Sequence, residues 1–568
     1  MIRGRRFKLD IKRTVLPAFI FAALFSLSYY VGSMLEEEGK LLSWEAGRVF
    51  NTVFIFILSC MAMIFLWTWL DARQKKVKKP SFPEPIQRKQ DFFLWLLLFA
   101  FEIIILLGVY PGFFVYDASQ ELSMVQSREF TTHHPLLHVL LLGGVILAVH
   151  KVTGSYNLGI FVYLLLQAAV ITASFVYMLS DLRRRGAGTL YRVLCILWLL
   201  LCPTVTMFVL CSCKDSLFAA FLLVMTVEVR CMMTEPEVFF DQKHIFRPIN
   251  LVVSASLMML LRNNGVYAYV VFVLLYLVAA FISRIVCFIQ KKRNRSCFNE
   301  KFLYRLILLV LPLAIYEGVS FGLARVTDAD SSESQEILTV PIMQLARTWN
   351  EDRDSFTQED EQWMDIFMEE DGWDNYRPKL SDPVKVYFDS SAYRSNRNEF
   401  WQLWYRQGMA HPKLYLEAFL MTSYGFWYPE AVIDCYEGNI VYTFTYGDSS
   451  YFGYETESPG ERKSLIKPVD DWFYFLSLNR KAQEIPILHL VLSPGMMFWL
   501  FLWMMFTVAR TGRTDILISY LPVLLVWLTV QLGPCALPRY VVYLWFGLPL
   551  FIFEANPDNV VKVTDGKR

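Results

Sequence analysis

The chain has 568 residues, 55% of them hydrophobic and 16% aromatic, with a formal net charge of +1 and a mean hydropathy of +0.36. The near-neutral balance gives no global attraction to nucleic acid. Many apolar runs reach the ~20 residues needed to cross ~30 Å of hydrocarbon, which excludes an ordinary soluble domain and points to an all-α polytopic membrane protein.

The N-terminus, MIRGRRFKLDIKR, is basic, and the first apolar run, 14–34, is long enough to remain as a span rather than be cleaved. An acidic loop, EEEGKLLSWEAGR, separates it from a second run near 50–70, which leads into the strongly basic DARQKKVKKPSFPEPIQRKQ. Short loops rich in Lys and Arg stay cytoplasmic, so the N-terminus and the 71–90 loop are predicted inside and the run 91–110 leads outward. It ends in YPGFFVYDASQEL, which places Asp117 outside. HHPLLH, 133–138, opens the next apolar stretch, 136–150, only about 22 Å long as a helix and too short for an upright crossing. The full span 156–179 then ends in DLRRRGAG. If both segments crossed, Arg183, Arg184 and Arg185 would lie outside, against the charge rule. Read as a re-entrant or interfacial helix on the outer face, the HHP segment returns them inside.

The remainder alternates. The run 190–210 leads outward to CKDS with Lys214 and Asp215, 217–233 returns, and 251–261 with its flanks leads out to RNNG. The run 266–289 returns to the basic QKKRNR, and 303–323 leads out again. Residues 324–484 are polar, roughly twice as acidic as basic and rich in Trp and Tyr, which predicts a folded extracytoplasmic domain of mixed structure rather than a disordered linker. Within it, the aromatic segment 415–429 suits the membrane interface. Three spans close the chain at 485–508, 516–532 and 541–553, with ARTGR inside and GPCALPRY outside. The expected architecture is about twelve spans with both termini inside: an added N-terminal segment, 1–90; a membrane core, 91–323, whose first outer loop is 111–155; the outer domain, 324–484; and a C-terminal bundle, 485–568. Of ten cysteines the outer domain contains only Cys435, so no disulfide framework is predicted within it. Cys211 and Cys213 lack partners at zinc-ligand spacing and read as helix-packing residues.

This topology collects Asp117, Glu121, His133, His134, Lys214, Asp215, Arg262, Asn263, Asn264 and Arg539 on one face, with Tyr116 and Gln120 beside Asp117. Each has a plain explanation: Asp117 a helix cap after a Pro-Gly turn, Glu121 a solvated face one turn on, Lys214 with Asp215 a boundary ion pair, Arg262 and Arg539 interfacial anchors. His133 and His134 before Pro135 suit a helix cap or a metal ligand, although adjacent histidines point apart. Ionisable groups are expensive near a membrane interior unless paired or solvated, so together they describe an anionic-ligand site with at least one acid.

At these residues the sequence resembles the GT-C superfamily of polytopic glycosyltransferases, and more closely a poorly characterised bacterial membrane family within it. The resemblance rests on YPGFFVYDASQ, HHPLLH, CPTVTMFVLCSCKDSLFA, MLLRNNGVYA, LTVPIMQLAR, LSDPVKVYF, HPKLYLEAFLMTSYGFWYP and LGPCALPRYVVYLWFGLPL, which cover most of the chain from Asp91 onward. It implies a cell-membrane enzyme taking a polyprenyl-phosphate sugar and passing the sugar to a glycan, lipid or protein acceptor on the outer face with inversion. Asp117 is then the general base, Lys214, Arg262, Arg539 and His133 or His134 gather the leaving phosphate's charge, and Asp215 and Asn263 orient a cation or the sugar. Many superfamily members carry a second carboxylate at the YDAS position; this chain has one, so the resemblance leaves a divalent cation optional. The rival readings are a lipid or sugar transporter, against which the sequence shows no inverted repeat and no paired broken helices, and a noncatalytic scaffold for cell-envelope polymers.

Overall fold

The computed structural model describes residues 11–42, 44–72, 85–241, 245–289, 300–330, 334–369, 371–435, 454–478 and 481–556. The basic residues 1–10, most of the 71–90 loop, the QKKRNR loop and the C-terminal tail, all expected inside, lie outside the described residues. Among those described, structure is helical, with β contacts limited to isolated bridges. Eight helices are long and apolar enough to cross a membrane, or up to ten if each bent pair is one span. Two shorter apolar helices, Phe246–Leu261 and Thr514–Val530, accompany them. The chain is a multi-pass membrane protein.

Two runs expected as straight spans are broken. Thr189–Leu201 and Pro203–Val209 meet at 61°, and Pro486–Leu492 and Pro494–Arg510 at 68°. Each break sits before a proline, which donates no backbone hydrogen bond and clashes with the preceding turn, so the first helix ends and a second begins. The expectation of no broken helices is corrected here; the sequence signal was Pro203 and Pro494 inside long apolar runs.

Contacts define two ends of the helical assembly. At one end Asp91 accepts from Ser180 (3.0 Å) and Arg183 (2.8 Å), and Asp71 accepts from Arg510 (2.8 and 3.0 Å). The same end holds a buried ion network: Asp181 with Arg184 (2.7 Å), Glu235 with Arg184 (2.5 Å) and Arg230, Glu554 with Arg185 (2.5 Å) and Arg230 (3.1 Å), and Glu228 with Arg247 (3.0 Å). Arg184 and Arg185 are thus packed against carboxylates, with Arg185 only 2% exposed, rather than standing free in a loop.

At the other end, the Tyr110 carbonyl accepts from the Lys463 amide (2.8 Å), Asn157 exchanges two bonds with the Glu461 backbone (2.7 and 2.8 Å), and Asn264 donates to Thr529 (3.0 Å). The HHP helix, Leu136–Thr153, lies between two of these contacts. His134, just before it, meets Lys214 at the start of Lys214–Thr234, and the turn after it leads into Tyr156–Arg184 beside Glu461. With 18 residues, this helix is long and apolar enough to cross a membrane, against the expectation from its shorter apolar run.

Between Leu338 and Leu403 a separate aromatic core, including Trp349, Phe356, Phe367 and Phe400, is built by the helices Thr339–Glu351, Gln358–Phe367 and Arg397–Ala410. The second of these begins with a capping box, Thr357 and Asp360. The mixed structure expected here is corrected to helical in the described residues: aromatic side chains at helical spacing bury one face, and no strand partner is needed. Buried Arg347 ties this region to the first helix, Leu16–Glu38, donating to Glu417 (2.8 Å) and to the Gly39 carbonyl (3.0 Å). The 415–429 segment packs on that helix too, Tyr424 and Tyr428 clustering with Leu35.

Gly495 fixes how the broken C-terminal helix docks: a Cβ there would lie 2.4 Å from the Tyr428 carbonyl oxygen and 2.6 Å from its carbon. Backbone cannot swing aside as a side chain can, so Gly495→Ala is expected to destabilise the protein by about 1–3 kcal/mol. Thermal unfolding in detergent checks this against Gly47→Ala, where a Cβ meets nothing within 4 Å.

Candidate functional site

The site is assembled where two helices begin. Residues 113–115 run extended between two other segments: Phe113 pairs with Cys211 and Phe114 with Thr456, the Ser212 amide donates to the Phe113 carbonyl (2.9 Å), and the Val115 amide donates to Ser212 Oγ (3.2 Å). Val115 then caps the helix Tyr116–Ser127, with Asp117 in its first turn. Lys214–Thr234 starts alongside, with Asp215 in its first turn. Helix N-termini favour carboxylates, so both acids sit where the peptide dipoles suit them.

Asp117 Oδ2 accepts from Lys214 Nζ at 3.0 Å and from Arg539 at 3.2 Å. Lys214 Nζ also donates to His134 Nδ1 (3.0 Å) and lies 3.9 Å from Glu121 Oε1. That leaves His134 Nε2 as the donor to Gln120 Oε1 (3.3 Å), and Gln120 in turn donates to the Tyr116 hydroxyl (2.7 Å). Burial alone would raise the Asp117 carboxyl, but Arg539 and Lys214 hold it well below the usual carboxylate range. Burial and the neighbouring Lys214 ammonium push the His134 imidazole well below its ordinary value, so it is neutral.

Both shifts give stability that fades with acid. The unfolded chain protonates His134 near 6.5 and Asp117 near 4 while the folded chain resists, so it takes up protons first as pH falls. The melting temperature is expected to decline below about pH 6.5 and again toward pH 4. His134→Asn should flatten the upper limb and Asp117→Asn the lower, as read by melting curves across pH.

Glu121, one turn beyond Asp117, was expected on a solvated face and is instead buried, 1% exposed at its side chain. It pairs with His138, and here a chain of polar groups enters the core. Gln167 donates to the carbonyls of Val209 (2.9 Å) and Cys211 (2.7 Å), which turns its own oxygen toward the Tyr163 hydroxyl (3.1 Å). Tyr163 donates to Gln167 and lies 2.8 Å from His138 Nε2, while His138 Nδ1 pairs with Glu121.

The second pair expected at the site lies beside the first. Asp215 pairs with Arg262, not with Lys214. Tyr540 separates the two clusters: Arg262 lies over one side of its ring at 4.8 Å to the centroid, and Arg539 lies 5.0 Å from the same centroid and donates to its hydroxyl (3.2 Å). His133 is exposed and edge-on to His134, 4.6 Å between centroids. Asn263 is exposed at the start of Asn263–Ile289 and makes none of these bonds. His138, Tyr163, Gln167 and Tyr540 were missed. A signal existed: Tyr163 and Gln167 are spaced i, i+4, a polar pair on one face of an otherwise apolar helix, and His138 stands in the first turn of another.

The donor set does not fit a divalent cation. A metal needs the carboxylate and imidazole lone pairs to converge on one point, and Lys214 Nζ already stands there, in contact with Asp117 and His134. Among the described residues no group of three or more His, Cys, Asp or Glu could hold a metal. The chemistry available is therefore anion binding by Lys214 and Arg539 around one carboxylate.

Comparison with known families matches residues 122–565 to a family of unknown function (DUF6020). The chain belongs to the DUF6020 family. The match begins one residue after Glu121 and takes in His134, His138, Lys214, Arg262 and Arg539, whereas Asp117 precedes it. Searches of the curated proteins and of the solved structures matched nothing.

Proposed function

We propose that this DUF6020 member is a GT-C-type membrane glycosyltransferase, moving a sugar from a polyprenyl-phosphate donor to an acceptor on the outer face of the cell membrane with inversion. One observation carries the reading: two cations, Lys214 and Arg539, share a single carboxylate oxygen of Asp117 at one end of a multi-pass assembly. A donor phosphate would compete with Asp117 for those same cations. Once the phosphate takes them, the Asp117 carboxylate loses the charges that depress its basicity and can accept a proton. The acceptor hydroxyl oxygen then bonds to the anomeric carbon, the bond from that carbon to the phosphate oxygen breaks, and the lipid phosphate leaves with the electron pair onto Lys214 and Arg539. Neutral His134 holds Lys214 without adding to its charge. Loop charge favours this end facing outward. With the HHP helix discounted, the other long helices, the two bent pairs, the two shorter apolar helices and Tyr543–Ala555 would supply the twelve crossings expected.

The test is transfer by purified protein in nanodiscs, offered a panel of polyprenyl-phosphate sugars, with release of lipid phosphate as the readout. Lys214→Met and Arg539→Met are each expected to weaken donor binding by about 10-fold or more, the loss of one charge-assisted bond. Donor affinity unchanged in both would overturn the assignment.

A transporter is the second reading, favoured by the two broken helices, since discontinuous helices line substrate paths in many transporters. Trp545 links them: its carbonyl accepts from Trp198 (3.0 Å) and its indole donates to the Val491 carbonyl (2.7 Å). Movement of labelled lipid in proteoliposomes without any transfer product would select it.

A further inference from the structure

We infer that Glu121 is a positioning residue for the proposed transfer: a second carboxylate on Lys214 that weakens the ammonium's hold on both Asp117 and the donor phosphate. The inference rests on the donor-binding role proposed for Lys214. One oxygen of this acid is committed and the other is not. Glu121 Oε2 pairs with His138, whereas Oε1 is buried and makes no hydrogen bond among the described residues. That oxygen lies 3.9 Å from Lys214 Nζ and 3.7 Å from His134 Nδ1, which itself accepts from Lys214 at 3.0 Å. Away from solvent, such a charge is little screened and acts on its nearest cation.

A chain of buried groups fixes both sides of this contact. Gln167 binds the carbonyls of Val209 and Cys211, in the segment that leads into Lys214. Its oxygen meets the Tyr163 hydroxyl, which lies beside His138, and His138 pairs with Glu121. The chain therefore starts on the backbone just before Lys214 and ends on the carboxylate beside its ammonium. Glu121 cannot withdraw from Lys214 without giving up His138. Asp117 stands one turn earlier on the same helix, with Lys214 Nζ at 3.0 Å. Of the other charged groups nearby, Asp215 pairs with Arg262, and Arg539 joins the cluster through Asp117. Lys214 is thus shared between two carboxylates at unequal distances. A cation shared in this way holds a phosphate less tightly, which favours release of the lipid phosphate, and it depresses the basicity of Asp117 less.

The experiment acylates amines of the full-length protein in nanodiscs with a small anhydride at mildly alkaline pH. Mass spectrometry reads Lys214 against exposed Lys463 in the same sample. Removing the Glu121 charge eases deprotonation of the Lys214 ammonium, so Glu121→Gln is expected to raise Lys214 labelling about 3- to 10-fold with Lys463 unchanged. Binding of polyprenyl phosphate, the product common to every donor, is expected to tighten by a similar factor while turnover falls. A carboxylate that only packed its helix would lose binding and turnover together, and that result would overturn the inference. Glu121→Asp, with the charge drawn back by one methylene, is expected to fall between wild type and Glu121→Gln. It carries the test if the glutamine variant does not fold. Lys214 labelling unchanged in the folded variants would overturn the inference whether or not any sugar is transferred. Labelling that rises while polyprenyl phosphate binding stays the same keeps Glu121 on Lys214 and overturns the donor role of Lys214 instead.

Discussion

Replacing Asp117 with Asn is expected to cut sugar transfer by about 10²–10⁴-fold, the range a positioned general base contributes, while donor binding stays the same or tightens. The two halves of this expectation come from one geometry. Asp117 Oδ2 faces both Lys214 (3.0 Å) and Arg539 (3.2 Å), so it is at once the candidate base and the competitor of the donor phosphate. The Asn amide removes the proton acceptor and the competing charge together. A residue that merely held the loop in place would instead lose donor binding and turnover in parallel. Turnover and donor affinity measured on the same nanodisc preparation separate these outcomes, with Asp471→Asn, an exposed partner of Lys467, as the neutral control. Full transfer by Asp117→Asn would remove Asp117 from the chemistry.

The largest stability effect is expected far from that site, at Glu554. Its carboxylate is 1% exposed and pairs with Arg185 (2.5 Å) and Arg230 (3.1 Å), and Tyr520 also donates to it (3.3 Å). Glu554→Gln keeps the shape but takes one carboxylate from two buried guanidinium groups, leaving Arg230 with Glu235 and Arg185 with Asp181 at 3.6 Å, a loss of about 3–5 kcal/mol by comparison with other broken buried pairs. An exposed pair gives the contrast: Glu45→Gln, opposite Arg48 at 3.2 Å with the Glu 60% exposed, should change stability by less than about 1 kcal/mol. Thermal unfolding of both variants in one detergent tests the difference. Equal shifts would mean the buried network is solvated in the membrane.

What the sequence determined by itself is the helical, multi-pass class, from apolar runs of membrane length, and the neighbourhood of the site. Length and loop charges demoted the HHP segment, whereas in the fold Leu136–Thr153 is long and apolar enough to cross a membrane. The same charges gathered Asp117, Lys214 and Arg539, which the structure brings into contact. Hydropathy and charge report which end of a helix a residue occupies, because both follow from the surrounding solvent.

Tertiary structure decided the pairing. Lys214 and Asp215 are adjacent in sequence yet turn to different partners, Asp117 and Arg262, because successive residues in a helix's first turn point about 100° apart. Glu121 was expected in water and is buried on His138, since only the packing of Leu136–Thr153 against Tyr156–Arg184 shows which face of its helix is covered. Asn263 and His133 reach the right end but remain exposed. Arg184 and Arg185 stand together at one end of the bundle, but their carboxylate partners come from distant helices, in Glu554 and Glu235, or from the preceding turn, in Asp181. Charge sets the end of the bundle a residue occupies; which partner it meets depends on helix rotation and contact between distant segments, which no local pattern encodes.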